Sequence, residues 1–279
     1  MLHAHVSPVL LRQEIGRRLR AARESAGLAL ETAAPMLETS TSTLSRIEKG
    51  ITTVTVHLVR GMSDVYDRRL DDLLDLVREA RLPGWWKAYG ISDTDFVALE
   101  TGASAISNYE LSFVPGLLQT AAYTRALFEA VRRPHDDEWI INQLAVRSIR
   151  QERLIDEARP VSLDVVVHEF ALRFLVGGSD VMRAQLRHLV LAAELPTVAL
   201  RVIPATKIAN EAMTGGFIVL DFPWSEQPSI VHAEHSLGTE RKDKVEPVRA
   251  AKLRFEHLRS LTLEPADSVA LIERVSGDL

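Results

Sequence analysis

The spacing of the apolar residues changes near Pro83 and Gly84, and this change constrains the fold more than any other feature of the sequence. Before it, apolar residues recur at helical spacing in five successive segments. After it, short runs rich in β-branched residues alternate with helical segments. We therefore expect a multidomain chain with an all-α domain over residues 1–80, a tryptophan-containing linker over residues 81–95, and a mixed α/β (α+β) domain over residues 96–279.

The first domain is predicted to contain five helices, each with one apolar stripe. They cover about residues 10–26, 30–37, 41–49, 55–66 and 69–80. Gly27 and Gly50 follow the first and third helices as stop signals. Ser40 precedes the third helix as an N-cap whose hydroxyl can accept a backbone N–H.

The second domain is predicted to hold a sheet of about four or five strands covered by helices. The strand candidates are AISNYELSFVPG, VSLDVVVHEF, TVALRVIP, GGFIVLDF and SIVHAEH. A strand–helix–strand order followed by consecutive strands indicates a mixed sheet.

Composition limits the possible functions. The chain carries a net charge of −5 and has no cysteine, so disulfides and thiolate metal sites are excluded. No window approaches the apolar length of a membrane span, and the first ten residues lack the pattern of a secretory signal. We expect a cytoplasmic protein in which any nucleic-acid binding is local, because residues 10–60 alone have eight cations against five anions.

The stretch TSTSTLSRIEKG, residues 39–50, has the layout of the second helix of a helix-turn-helix. Such a helix enters the DNA major groove by its N-terminus, where small hydroxyl residues permit close approach. Arg46 lies four residues after Ser42 on the same face. Its guanidinium group can donate two parallel hydrogen bonds to a guanine or to a phosphate. The alternative is that Ser40 is only a cap and its neighbours only a solvated face. The compact order of five helices favours DNA binding.

Residues 10–79 resemble the five-helix repressor domain of the XRE type, which includes the lambda and Cro repressors, through Gly27-Leu28 and STSTLSRIEKG. The resemblance implies that Thr41, Ser42 and Arg46 read bases. It also implies that Thr43 and Lys49 lie near phosphates.

The segments SDVYDRRLDDLLDLVREARLPGWW, FVPGLLQTAAYTRALF, VRSIRQERLI, LRFLVGGSDVMRAQLRHLV and FIVLDFP are similar to the WhiJ-like regulators of filamentous bacteria. Membership implies a transcriptional regulator, often encoded beside a small partner protein in an antitoxin-like pairing. We expect a repressor or autoregulator that binds a pseudo-palindromic operator as a homodimer, with no cofactor and no enzymatic activity.

Two departures from the XRE pattern support a second hypothesis. Ala29 and Leu30 stand where a capping hydroxyl and a phosphate-binding glutamine are common, and Pro35 lies inside the second helix. A protein-interaction module with a degenerate helix-turn-helix is therefore an alternative.

A metal-dependent hydrolase is the third hypothesis, motivated by His168-Glu169 and by His232, Glu234 and His235. Neither segment has the H-E-x-x-H spacing that places two histidines on one helical face. We expect no metal ligands and no catalytic residues.

Four charged residues of the second domain are candidates for binding a ligand or a partner. They are Arg147, Arg150, Glu169 and Arg173, which could frame a polar pocket or bind acidic residues. The alternative is a set of surface ion pairs.

Overall fold

The computed structural model describes residues 7–92, 95–130, 136–207, 210–224, 227–235 and 238–279. The chain forms two compact units that divide between Gly102 and Ala103. The expected multidomain fold, a helical N-terminal region followed by a mixed α/β region, is confirmed. Among the described residues, no helix has both the length and the apolar character needed to cross a membrane. Residues 1–6, part of the stretch in which we looked for a secretory signal, lie outside the described residues.

The first unit contains the five predicted helices. They are α1 (Pro8–Ser25), α2 (Leu30–Met36), α3 (Thr41–Glu48), α4 (Val56–Val65) and α5 (Leu73–Glu79). Each buries apolar residues in the core, and Leu19, Leu44 and Val59 are fully buried. A 3₁₀ helix (Trp85–Tyr89) and the short α6 (Phe96–Glu100) follow.

Two glycines allow α1 and α3 to cross at close range. A Cβ atom on Gly16 would lie 2.6 Å from the carbonyl oxygens of Ile47 and Glu48. A Cβ atom on Gly50, whose φ is +68°, would lie 2.6 Å from the Cα atom of Gln13. The backbones therefore touch where side chains would otherwise hold them apart.

A buried ion pair joins the same two helices. The Arg23 guanidinium donates to both carboxylate oxygens of Glu48, at 2.6 Å and 2.8 Å, and also to the carbonyl of Leu28 at 2.6 Å. Both charged side chains are buried. The hydrogen bond to Glu48 is the main reason why the pKa of Arg23 is raised. The pair thus fixes the end of α3 against α1 and the turn that follows α1.

The helical unit extends to Gly102, past the predicted linker over residues 81–95. Trp86, in the 3₁₀ helix, is fully buried. The hydroxyl of Ser7 donates to the carbonyl of Ala98 at 2.6 Å, which ties the start of α1 to α6. This hydrogen bond joins α6 to the helical unit.

The second unit is built on a six-stranded sheet with the order β3-β2-β1-β4-β5-β6. Its strands are β1 (Ala105–Glu110), β2 (Ser162–His168), β3 (Val198–Ile203), β4 (Phe217–Asp221), β5 (Ile230–His235) and β6 (Gly238–Lys242). Its helices are α7 (Ala121–Glu129), α8 (Asp137–Glu152), α9 (Glu169–Arg173), α10 (Ser179–Ala192), α11 (Val245–Ser260) and α12 (Pro265–Gly277). Two 3₁₀ turns occur at Gly116–Leu118 and Asn210–Met213.

The sheet is mixed, as predicted, because helical connections make β1, β2 and β3 parallel while short connections make β4, β5 and β6 antiparallel. All five predicted strands are present. The sixth, β6, was not predicted, since its sequence GTERK is wholly exposed and has no apolar alternation. Phe255 and Leu258 of α11 pack in one core cluster with Tyr109, Val166 and Phe217 on one face of the sheet.

We predict that Arg23→Ala lowers the free energy of unfolding of the helical unit by about 3–5 kcal/mol, because the buried carboxyl of Glu48 would lose its partner. Denaturant-dependent amide hydrogen exchange in α3 measures this loss. Arg20→Ala is the matched control, since Arg20 pairs with Glu24 on the exposed surface of α1. Exchange in α3 should not change in this variant. Equal effects of the two substitutions would contradict a structural role for the buried pair.

Candidate nucleic-acid interface

The segment from α2 to α3 forms a helix-turn-helix whose turn is closed by backbone hydrogen bonds. Glu38 has a φ of +51°, and the N–H of Thr39 donates to the carbonyl of Ala34 at 3.0 Å. Ser40 then caps α3 as predicted, accepting the N–H of Thr43 at 3.0 Å. Its hydroxyl also lies 2.8 Å from the Thr43 hydroxyl. The side chains of Ser40 and Thr43 therefore hold the first turn of α3 together.

The rest of α3 is divided into a buried and an exposed face. Leu44 is fully buried and Ile47 nearly so, and these two residues anchor the helix in the core. The exposed residues include Ser40, Ser42, Thr43, Arg46 and Lys49, and Thr41 is half-buried. The six residues predicted to contact DNA thus lie on or beside a face that presents short side chains and two cations.

Thr52 orients the arginine of this face, a role that no sequence pattern indicated. The Arg46 Nε atom donates to the Thr52 hydroxyl at 3.2 Å. The N–H of Ile51 donates to the Arg46 carbonyl at 2.9 Å, which turns the chain back after Gly50 and brings Thr52 beside α3. Within the described part of the chain, the terminal nitrogens of Arg46 make no hydrogen bond, so they remain available to an acceptor.

Helix α2 forms despite its departures from the XRE pattern. Ala29 occupies the N-cap position and supplies no side-chain hydrogen bond, while Pro35 lies inside the helix. The helix is short, so the proline removes one backbone hydrogen bond near its end. The N–H of Ala33 still donates to the carbonyl of Ala29 at 3.0 Å, which closes the first turn.

Much of the positive charge of residues 10–60 is neutralised by ion pairs within the helical unit. The arginines of α1 that pair with carboxylates are Arg17, Arg18, Arg20 and Arg23. Arg46, Lys49 and Arg60 are exposed cations beyond α1. Few charges are therefore placed to meet phosphates.

The charged candidates of the second unit fall into separate contacts. Glu169 accepts a hydrogen bond from Arg173 at 2.7 Å and another from the N–H of Ala205 at 2.7 Å, so it ties α9 to the segment after β3. Arg147 donates to the side chain of Gln119, and its guanidinium carbon lies 5.9 Å from the ring centroid of Phe128.

The histidine segment proposed for a hydrolase forms a local pair. His232 Nε2 lies 3.2 Å from Glu234 Oε1, and the alternation of side chains along a strand puts both residues on one face of β5. Among the described residues, no three or more His, Asp or Glu side chains come together in a group that could hold a metal ion.

Comparison with known families finds two matching regions in the chain. A family model described as "Helix-turn-helix domain" matches residues 14–77. A second, described as "Domain of unknown function (DUF5753)", matches residues 93–274. No curated protein and no solved structure matches the chain significantly.

We predict that Ser40→Ala lowers the stability of α3 by about 1 kcal/mol, because the N–H of Thr43 loses its acceptor. Amide exchange across α3 measures the change. Ser42→Ala is the control, since Ser42 is exposed and alanine favours a helix, so stability should hold or rise slightly. If both substitutions were neutral, the hydroxyl of Ser40 would not be a structural cap.

Proposed function

Because the chain belongs to the DUF5753 family and carries a helix-turn-helix domain ahead of it, we propose that it is a sequence-specific DNA-binding transcriptional regulator of the XRE, WhiJ-like type. The observation that carries the proposal is the exposed face of α3. Short side chains stand at its start and Arg46 stands one turn later, while Leu44 and Ile47 fix the opposite face in the core.

The chemistry of this face fits the major groove. Ser42 and Thr41 are small enough to let the helix N-terminus approach base edges, and the methyl group of a threonine can contact that of thymine. Arg46 is held at Nε by Thr52, and its terminal nitrogens can donate in parallel to O6 and N7 of a guanine. Lys49, at the end of the helix, is placed to neutralise a phosphate.

The regulator acts as a homodimer in this proposal. Two-fold symmetry would place two copies of α3 on half-sites roughly 34 Å apart on a pseudo-palindromic operator. We assign it the role of a repressor or autoregulator, not an enzyme. The DUF5753 region would bind a ligand or a small protein encoded by a neighbouring gene.

We predict that Arg46→Ala relaxes specificity at one base position and weakens binding to the preferred sequence by about 1–3 kcal/mol. The preferred sequence comes from DNA fragments selected by the purified full-length protein. Affinities for this sequence and for variants with each base changed in turn, measured by mobility shift, locate the position that Arg46 reads.

Arg20→Ala is the matched control, because it removes an exposed arginine that pairs with Glu24 on α1. Its base preference should equal that of the wild type. A uniform loss of affinity for all sequences in Arg46→Ala would show a phosphate contact instead of base reading. Failure of the wild type to select any sequence would favour the interaction module with a degenerate helix-turn-helix.

A further inference from the structure

On one face of β1, two side chains have hydrogen-bond acceptors that receive no donor from the described residues. Asn108 and Glu110 are two residues apart, so their side chains project from the same face of the strand. Asn108 is only 4% exposed, yet its Oδ1 atom accepts no hydrogen bond from the described residues. The carboxyl of Glu110 is half-buried and likewise has no hydrogen bond to any of them. Leaving such groups unsatisfied costs stability, so their retention at the middle of a sheet calls for a reason.

A glycine lies beside Glu110 on the neighbouring strand. Tyr109 pairs with Phe217 across β1 and β4, and Ile218 pairs with His232 across β4 and β5. Continuing both registers places Gly216 between Glu110 and Glu234. A Cβ atom on Gly216 would lie 2.8 Å from Glu110 Oε2, so the carboxyl occupies the position that a side chain there would take.

The charges around Glu110 and Glu234 are unequal. Glu234 is stabilised by its hydrogen bond with His232, then by the nearby charges of His232, Arg150 and Arg147, and its pKa is lowered. Glu110 has the opposite environment. Its burial, together with the negative charge of Glu234, raises its pKa to about 8. A positive charge placed over Gly216 would meet a carboxylate that the described residues do not neutralise.

We propose that Asn108 and Glu110, beside Gly216, bind a small organic cation with N–H donors, of the primary-amine class. The ammonium group donates to the carboxylate of Glu110 and to Oδ1 of Asn108, which supplies the missing hydrogen bonds of both. A cation without N–H groups would neutralise the charge of Glu110 but could not donate hydrogen bonds to its carboxylate or to Oδ1 of Asn108. The site lies wholly within the second unit and goes beyond DNA binding.

Binding is coupled to the ionisation of Glu110. Below about pH 8 the carboxyl is protonated, and an ammonium group must displace that proton to bind. The affinity therefore rises about tenfold for each pH unit until pH 8 and levels off above it. Among the described residues, the other titratable groups whose charge couples to Glu110 are Glu234 on β5, Tyr123 on α7 and the neighbouring Tyr109. Both tyrosines have pKa values raised by burial, so they stay neutral in this range.

The test uses n-butylamine, which stays protonated over this range as lysine does. Its binding to the full-length protein is followed by NMR titration between pH 6 and pH 9, without DNA. We expect saturable binding with the pH dependence given above, and binding of tetramethylammonium, which has no N–H donor, at least tenfold weaker. Equal affinities for the two cations, a flat pH profile or no saturation at pH 9 would overturn the proposal.

Glu110→Gln keeps the shape of the side chain and removes its charge. It should lower the affinity for n-butylamine at least tenfold and abolish the pH dependence of binding. Glu240→Gln is the matched control, because Glu240 is an exposed carboxylate of β6 that pairs with Lys242. The Glu240→Gln variant should bind n-butylamine with the affinity of the wild type. If the Glu110→Gln variant also binds with wild-type affinity, the assignment is contradicted. Because no DNA is present, this result and that of the Arg46 experiment are independent.

Discussion

The buried ion pair between Arg23 and Glu48 is the interaction on which the helical unit depends. It lies where α1 and α3 cross, a crossing that Gly16 and Gly50 allow by letting the backbones touch. Taking two charges out of water is costly, and only bidentate geometry offsets that cost. The pair therefore contributes more to the position of α3 than to net stability. A hydrophobic pair of similar volume could contribute as much to the free energy of unfolding, but it would not fix the register of the two helices as closely.

The surface of α3 follows from this fixed position. Once Leu44 and Ile47 are held in the core, helical periodicity turns Ser42 and Arg46 outward. The same crossing places the chain after Gly50 so that Thr52 can hold Arg46 at Nε. An arginine restrained in this way loses less side-chain entropy when it binds than a free one does. In our proposal this restraint allows Arg46, the one long cationic side chain among short ones, to read a base.

The sheet of the second unit treats its two faces differently. One face of β1 carries Tyr109, which packs with Phe217 and α11 in an apolar cluster. The other face carries Asn108 and Glu110, whose polar groups gain nothing from burial. Apolar residues at both positions would make a more stable strand. This difference is the reason why we assign a ligand to the second face. The first face stabilises the sheet by packing, and the second is proposed to bind the ligand.

The sequence by itself determined the five helices, the cap at Ser40 and five of the six strands, because these depend on apolar spacing and on side chains within a few residues. It also indicated the exposed face of α3. Only the tertiary structure decided that Thr52 holds Arg46, that β6 adds to the sheet, and that Glu110 lies beside Gly216. These contacts join residues that the chain brings together through strand register and helix crossing, and such pairings leave no periodic signal in the sequence.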